Sequence, residues 1–170
     1  MTQFTEYLTG IMTRDLRAAR REVEAYPDDA TLWTAPPGTT NTGGSLARHM
    51  AGNLRHFFGA VLGSSGYVRD REEEFSQRPV AREVILGELD AAVTAVESVL
   101  PGLSEEALAA SFPIPLGGLR VNTQDFVIHL AVHLCYHLGQ LDYHRRIITG
   151  RSETVSAQAM KELRSAQPAV

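Results

Sequence analysis

Residues 123–150 read TQDFVIHLAVHLCYHLGQLDYHRRIITG, and the interpretation of the whole chain starts from them. They predict one long helix that begins after Asn122 or Thr123 and runs to about Thr149, with Gly150 as its C-terminal stop. This helix carries four of the six histidines in the chain. The predicted fold and the predicted chemistry therefore lie on the same element.

Three more helices are predicted from apolar residues that recur at spacings of three and four. They cover residues 4–26, 45–62 and 79–100. Ser45 is the predicted cap of the second of these helices, and Pro79 suits the first turn of the third. Four helices with apolar stripes predict an all-α fold, a four-helix bundle.

The segments between the helices are predicted to be loops. Residues 27–44 are rich in Pro, Gly, Thr and Asn, and Trp33, the single tryptophan, is expected to cover the core. Residues 112–121 contain two prolines and a Gly-Gly pair, which indicate a loop or a small hairpin at the end of the bundle. The mixed charges of residues 69–75 indicate a solvated loop or a turn of helix. Residues 156–165 are weakly helical.

Composition places the chain among ordinary globular proteins. Its 170 residues fit one domain over residues 1–170, with 44% hydrophobic and 21% charged residues. A net charge of −4 without a long basic run argues against nucleic-acid binding. Neither a signal peptide nor a membrane-spanning apolar stretch is recognised, and the single cysteine cannot form an intrachain disulfide. A cytoplasmic protein that does not bind membranes is expected.

All six histidines fall on the second and fourth predicted helices. They are His49, His56, His129, His133, His137 and His144. Spacings of four and seven residues keep side chains near one helical face, and an i, i+4 pair can present two imidazoles to one metal ion. A facing helix then supplies a third ligand. Spacing alone does not choose among residues 129, 133 and 137, or between 49 and 56, and a single helical histidine is more often structural than a ligand.

Cys135 tests this geometry because it lies two residues from both His133 and His137. At about 100° per residue, it points to the opposite face of the helix. We therefore exclude the thiol as a ligand of the same site and expect a buried small hydrophobic residue. An all-imidazole site suits Zn, Ni, Cu or Fe better than Mg or Ca.

Two sequence strings resemble a known family, the DinB-like superfamily. HLAVHLCYHLGQ, residues 129–140, is similar to the HxxxHxGQ signature of this family, and SLARHMAGNLRHFF, residues 45–58, is similar to the helix that bears its first histidine. LWTAPPGTTNTGGSLARHMAGNL, residues 32–54, resembles an uncharacterised branch with a Trp-containing loop before that helix. The resemblance covers about residues 4–150.

The resemblance implies a four-helix bundle in which three histidines hold a divalent metal ion. Matched by position, the implied ligands are His49, His133 and His137, with Zn or Ni as the expected metal and Fe or Mn as alternatives. His129 becomes a packed or hydrogen-bonded neighbour, whereas His56 and His144 are expected at the surface or in a subunit contact. Leu138 stands where the commoner form of the signature has arginine, which leaves the ligand geometry unaffected. The resemblance also implies a homodimer.

A site with three neutral imidazoles leaves at least one coordination position open. A water there would have a lowered pKa, which is hydrolase chemistry, and a thiol there would become a nucleophile. The family includes thiol-dependent transferases and isomerases, so the resemblance favours the thiol route. The predicted function is therefore a thiol S-transferase or a hydrolase that acts on a small molecule.

The alternative is a non-catalytic metal-binding or stress-response bundle. A cavity with a polar lining beside the open metal position would favour an enzyme, and a metal sealed by apolar side chains would count against one. Asn53, one turn beyond His49, and Gln140, three residues after His137, are the expected neighbours of the site.

Overall fold

The computed structural model describes residues 2–76 and 78–169, and helices dominate it. The α-helices are α1 (Gln3–Glu24), α2 (Asp29–Leu32), α3 (Gly43–Leu54), α4 (Arg71–Phe75), α5 (Arg82–Val99), α6 (Glu105–Ala109) and α7 (Thr123–Thr149). A π-helical segment, Arg55–Leu62, continues α3, and 3₁₀ turns lie at Leu100–Gly102 and Met160–Glu162. Helices α1 and α3 each pack against both α5 and α7. The predicted all-α bundle is therefore confirmed.

The long helix α7 has the predicted boundaries because both of its ends are capped. The Asn122 side chain accepts a hydrogen bond from the backbone N–H of Asp125 at 3.2 Å. At the other end Gly150 adopts a left-handed conformation with φ of 66°, which glycine reaches without steric cost. The core face of α7 carries Leu130, Leu134 and Leu141 at helical spacing, and all three are buried.

Two predicted helix starts were wrong. Thr42, not Ser45, caps α3, and its hydroxyl oxygen accepts a hydrogen bond from the backbone N–H of Ser45 at 3.1 Å. The third long helix begins at Arg82, so Pro79 lies outside it. There the Trp33 indole N–H donates to the carbonyl oxygen of Val80 at 3.1 Å, which ties the segment before the helix to the loop.

The loop of residues 27–44 packs closely on the start of α3. Trp33 lies against the core as expected, and a Cβ on Gly44 would collide with its indole ring. Likewise, a Cβ on Gly43 would meet the Tyr26 hydroxyl. The Gly-Gly pair thus lets two aromatic side chains approach the helix backbone.

Residues 112–121 form a hairpin-like loop, as predicted. Leu116 and Leu119 make an isolated antiparallel bridge, and the backbone N–H of Phe112 donates to the carbonyl oxygen of Val121 at 2.8 Å. The weakly helical stretch at 156–165 reduces to one 3₁₀ turn.

Cys135 lies on the outward face of α7, and its predicted burial was wrong. Cys135 is exposed, and its sulfur accepts a hydrogen bond from the Gln158 side chain at 2.9 Å. Its neighbours Val132 and Tyr136 are also more than half exposed. The face opposite the histidines is therefore a surface and not a core.

None of the helices in the described ranges has the length and apolar character that crossing a membrane requires. The expected homodimer stays a prediction.

Candidate metal centre

Three histidines from two helices converge inside the bundle. His49 lies on α3, and His133 and His137 lie one turn apart on α7. The Nε2 atoms of His49 and His133 are 3.1 Å apart. One ring nitrogen from each of the three side chains lies within 4.8 Å of the others. Packing of α3 on α7 thus brings together the three histidines that the sequence resemblance selected.

His49 has an outer nitrogen, Nδ1, which points away from the three-histidine cluster and contacts a buried ion pair. Its Nδ1 lies 2.9 Å from Oε2 of Glu74, and Arg69 donates to both carboxylate oxygens of Glu74 at 2.7 Å. Gly52, on the same helix as His49, makes room for this carboxylate, because a Cβ there would collide with it. Arg69 Nη2 also lies 3.2 Å from Nδ1, but the contact with the carboxylate is shorter. Because a carboxylate can only accept, we assign the proton to Nδ1, which leaves the lone pair on Nε2, the atom that faces His133.

Glu74 stays ionised despite its burial. Burial alone raises its pKa, but hydrogen bonds from Arg69 and His49 outweigh that effect, so that the pKa lies below its ordinary value. A charged acceptor holds the imidazole more firmly than a neutral one would. The sequence-based interpretation of residues 69–75 as a solvated segment was therefore wrong at Glu74, which is only 4% exposed on helix α4.

His137 has the corresponding arrangement with a neutral partner. Its Nδ1 lies 2.7 Å from Oε1 of Gln140, three residues later on α7. An amide oxygen accepts, so this contact again places the proton on Nδ1 and leaves the Nε2 lone pair free. Gln140 thereby does for His137 what Glu74 does for His49.

The two cluster histidines on α7, His133 and His137, have lowered pKa values that favour the neutral imidazole. Burial, reinforced by the nearby His137 and His49, lowers the pKa of His133 to about 4. Burial also lowers the pKa of His137, more than the hydrogen bond to Gln140 raises it. Metal ligation requires neutral imidazole, and burial favours that form at these two side chains.

A cavity of about 400 Å³ opens beside His49 and His133. Its lining is Asn53, Phe57, Arg69, Arg71, Leu116, Gly117, Phe126, His129 and Leu130 together with these two histidines. It lies between α3 with its π-helical continuation and α7, below the hairpin-like loop. The predicted neighbour Asn53 is 8% exposed, and its buried Oδ1 has no hydrogen-bond partner in the described part of the chain.

The remaining histidines lie outside the cluster. His129 is exposed, and its ring stacks between Phe126 and His133. His56 is half-buried with its ring against Phe57, and its expected place at the surface or in a subunit contact stays a prediction.

The expectation that His144 lies at the surface or in a subunit contact was wrong. Its side chain is 5% exposed, with Nδ1 2.6 Å from the Tyr26 hydroxyl and Nε2 2.9 Å from the carbonyl oxygen of Thr34. The Trp-containing loop and the end of α1 cover this part of α7, so both ring nitrogens have partners within the chain.

Sequence reasoning missed three side chains of the site: Arg69, Arg71 and Glu74. All three belong to the mixed-charge run, where their residue types are those of a solvated surface. The one available signal was Gly52, a glycine inside a predicted helix, which indicates close approach of another group.

The cluster fits a divalent transition metal ion by its donor set. Two nitrogens bound to zinc in a tetrahedral site lie about 3.3 Å apart. The Nε2 atoms of His49 and His133 already lie 3.1 Å apart, and a ring nitrogen of His137 lies within 4.8 Å of both side chains' ligand atoms. The two outer nitrogens of His49 and His137 are held by acceptors, which is the usual support for metal-bound histidine. The three residues could therefore hold a metal ion with little rearrangement.

Comparison with known proteins agrees with the resemblance seen in the sequence. No protein of curated function shows a significant match to this chain. A model of the DinB superfamily matches residues 12–141, which span both helices that carry the three histidines. Because this match covers well over half of the sequence, the chain belongs to the DinB superfamily.

Proposed function

We propose that the protein binds one divalent metal ion through Nε2 of His49, His133 and His137 and is an enzyme that acts on a small molecule at the open side of that ion. The observation that carries this proposal is the convergence of three imidazoles, two of which, His49 and His137, have their Nδ1 atoms bonded to Glu74 and Gln140. A structural histidine cluster would not need acceptors that leave the second ring nitrogen of His49 and of His137 free.

The donor set supports Zn or Ni as the metal. All three donors are neutral imidazole nitrogens, a set that suits first-row transition metals better than Mg or Ca. When bound, such an ion supplies Lewis acidity that favours the deprotonated form of a water or thiol at its open side. We propose thiol S-transfer or hydrolysis as the reaction class on this basis.

The chain's own residues support an enzyme more than a sealed metal store. The cavity beside His49 and His133 is reached by the polar side chains of Asn53, Arg71 and His129. Asn53 offers a buried acceptor that would orient a hydroxyl, thiol or water proton. The ion pair of Arg69 with Glu74 keeps His49 in place while a ligand enters.

Elemental analysis of protein purified without an affinity tag tests the metal site. We expect about one transition metal ion per chain, and its loss in His133→Ala. The matched control is His129→Ala, one turn earlier on the same helix, which should retain the metal. Wild-type protein without metal, together with an unchanged melting temperature for His133→Ala, would overturn the proposal.

Cobalt substitution separates the two reaction classes. Titration of the cobalt-loaded protein with a low-molecular-weight thiol should change its visible absorption if the thiolate binds the metal, and the S-methylated form of that thiol is the control. An unchanged spectrum at saturating thiol would contradict the thiol route and leave hydrolysis as the expected reaction.

A further inference from the structure

The cavity beside the three histidines has two arginines in its wall, and one of them has no anionic partner among the described residues. Among the described residues, no aspartate or glutamate lines it, although the chain as a whole has a net charge of −4. Two arginines, Arg69 and Arg71, reach its wall instead. An acidic protein with a basic cavity points to a ligand of negative charge.

The two arginines differ in whether their charge is available. Arg69 is neutralised by Glu74, to which it donates two hydrogen bonds. Arg71 has no ion pair within the described part of the chain, and its guanidinium lies 5.2 Å from the ring centroid of Phe75. That ring in turn lies 4.7 Å from the ring of His49. Arg71, which is exposed, thus lies beside the candidate metal centre without an anionic partner in the described part of the chain.

The other wall of the cavity is aromatic. The rings of Phe57 and Phe126 meet edge to face with centroids 4.8 Å apart, and Leu130 lines the same cavity. Such a surface binds a flat apolar group through dispersion and the hydrophobic effect. A small inorganic anion would leave it uncovered.

We infer that this cavity binds a small organic acid, with its carboxylate at Arg71 and its apolar body against Phe57 and Phe126. Asn53 lines the same cavity and is only 8% exposed, and its Oδ1 has no hydrogen-bond partner among the described residues. This oxygen would accept a hydrogen bond from a donor group on the ligand. This inference rests on the proposed function only in that the same ligand would lie at the open side of the metal.

Calorimetric titration with benzoate and with benzamide, its uncharged counterpart, tests the inference. Both probes are added to metal-loaded and to chelator-treated protein, and metal content is measured on the same samples. Benzoate should bind more tightly than benzamide and lose affinity as salt increases. Arg71→Gln should weaken benzoate binding roughly tenfold, the effect of one charge-assisted hydrogen bond, and leave benzamide binding unchanged.

Arg151→Gln is the matched control, because Arg151 is exposed and lies beyond the far end of α7. Arg71→Lys should restore part of the benzoate affinity. Equal affinities for benzoate and benzamide, or equal effects of the two Arg→Gln variants, would overturn the inference. If the same samples contain bound metal, the proposed function would still stand. Conversely, benzoate binding that depends on Arg71 in a protein that takes up no metal would overturn the proposed function alone.

Discussion

His137 and His144 lie seven residues, about two turns, apart on α7 and share burial, yet their surroundings give them different chemistry. The two side chains are 9% and 5% exposed, and burial lowers the pKa of both. His137 has one ring nitrogen bonded to Gln140, and its ring meets the rings of His49 and His133 edge to face. His144 has both nitrogens bonded, to Tyr26 and Thr34.

The comparison shows that burial and a lowered pKa do not identify a metal ligand. What matters is whether one nitrogen keeps a free lone pair that other ligands face. The Tyr26 hydroxyl donates to Nδ1 of His144, and Nε2–H donates to the Thr34 carbonyl, so no lone pair is left for a metal. Helix α7 therefore combines a candidate reactive histidine and a structural one within two turns.

Alanine substitution should separate the two histidines most strongly. His137→Ala should lower metal affinity by more than the ten- to hundredfold typical of losing an outer hydrogen-bond partner, because a ligand itself is removed. His144→Ala should retain metal but lower the free energy of unfolding by about 3 kcal/mol, since it leaves Tyr26 unpaired and creates a cavity. Elemental analysis and urea unfolding measure the two effects. Loss of metal from His144→Ala with an intact fold would break the comparison.

Removing the charge of the outer partner should have the next largest effect. Glu74→Gln should weaken metal binding roughly ten- to hundredfold, because the amide holds the His49 imidazole less firmly. Glu72→Gln is the control, since Glu72 lies on the same short helix and is exposed. Competition with a chromophoric chelator measures both affinities. Equal affinities for the two variants would show that the Arg69–Glu74 pair is only structural.

The smallest expected effect is a pH dependence of stability. Burial lowers the pKa of folded His144 below 6.5, and the hydrogen bond to Thr34 opposes this only in part. The unfolded chain therefore binds this proton at higher pH than the folded chain does. The resulting stability is complete above pH 6.5 and is lost as the pH falls toward the folded pKa.

Urea unfolding of chelator-treated protein at pH 7.5 and at pH 5.5 measures this dependence. The non-titrating variant His144→Gln should lose less stability over the interval than the wild type, by up to about 1.4 kcal/mol, because pH 5.5 lies one unit below the pKa of 6.5 from which that of His144 is lowered. An equal loss in both proteins would show that His144 does not titrate differently on folding.

Much of the fold could be predicted because it depends on local rules. Asn122 and Gly150 are cap residues by type, and they bound α7 where the sequence placed its ends. The predicted start of the second helix failed because two capping residues, Thr42 and Ser45, lie three positions apart. In the structure Thr42 caps the helix. The two glycines that follow it have no Cβ, so the side chains of Tyr26 and Trp33 pack against the first turn.

The candidate site was predictable only in part. Periodicity placed the α7 histidines on one face, but only family resemblance chose among them and selected His49 over His56. Glu74 and Arg69 could not be found from their types, because a charged run has the same composition whether it is solvated or folded onto a histidine. For Cys135, periodicity correctly placed the side chain opposite the histidines but wrongly suggested burial. The direction of a side chain on a helix does not say whether that side faces the core or solvent.

The sequence by itself determined four long helices and the one-turn separation of His133 from His137, because apolar spacing and capping act within a few residues. Tertiary structure decided the rest of the centre. It brought His49 to His133 across 84 positions and Glu74 to His49 across 25. It also gave both ring nitrogens of His144 hydrogen-bond partners, the Tyr26 hydroxyl and the Thr34 carbonyl oxygen. These contacts depend on how each helix is rotated against its neighbours, which is set by the packing of the whole core and not by any one segment.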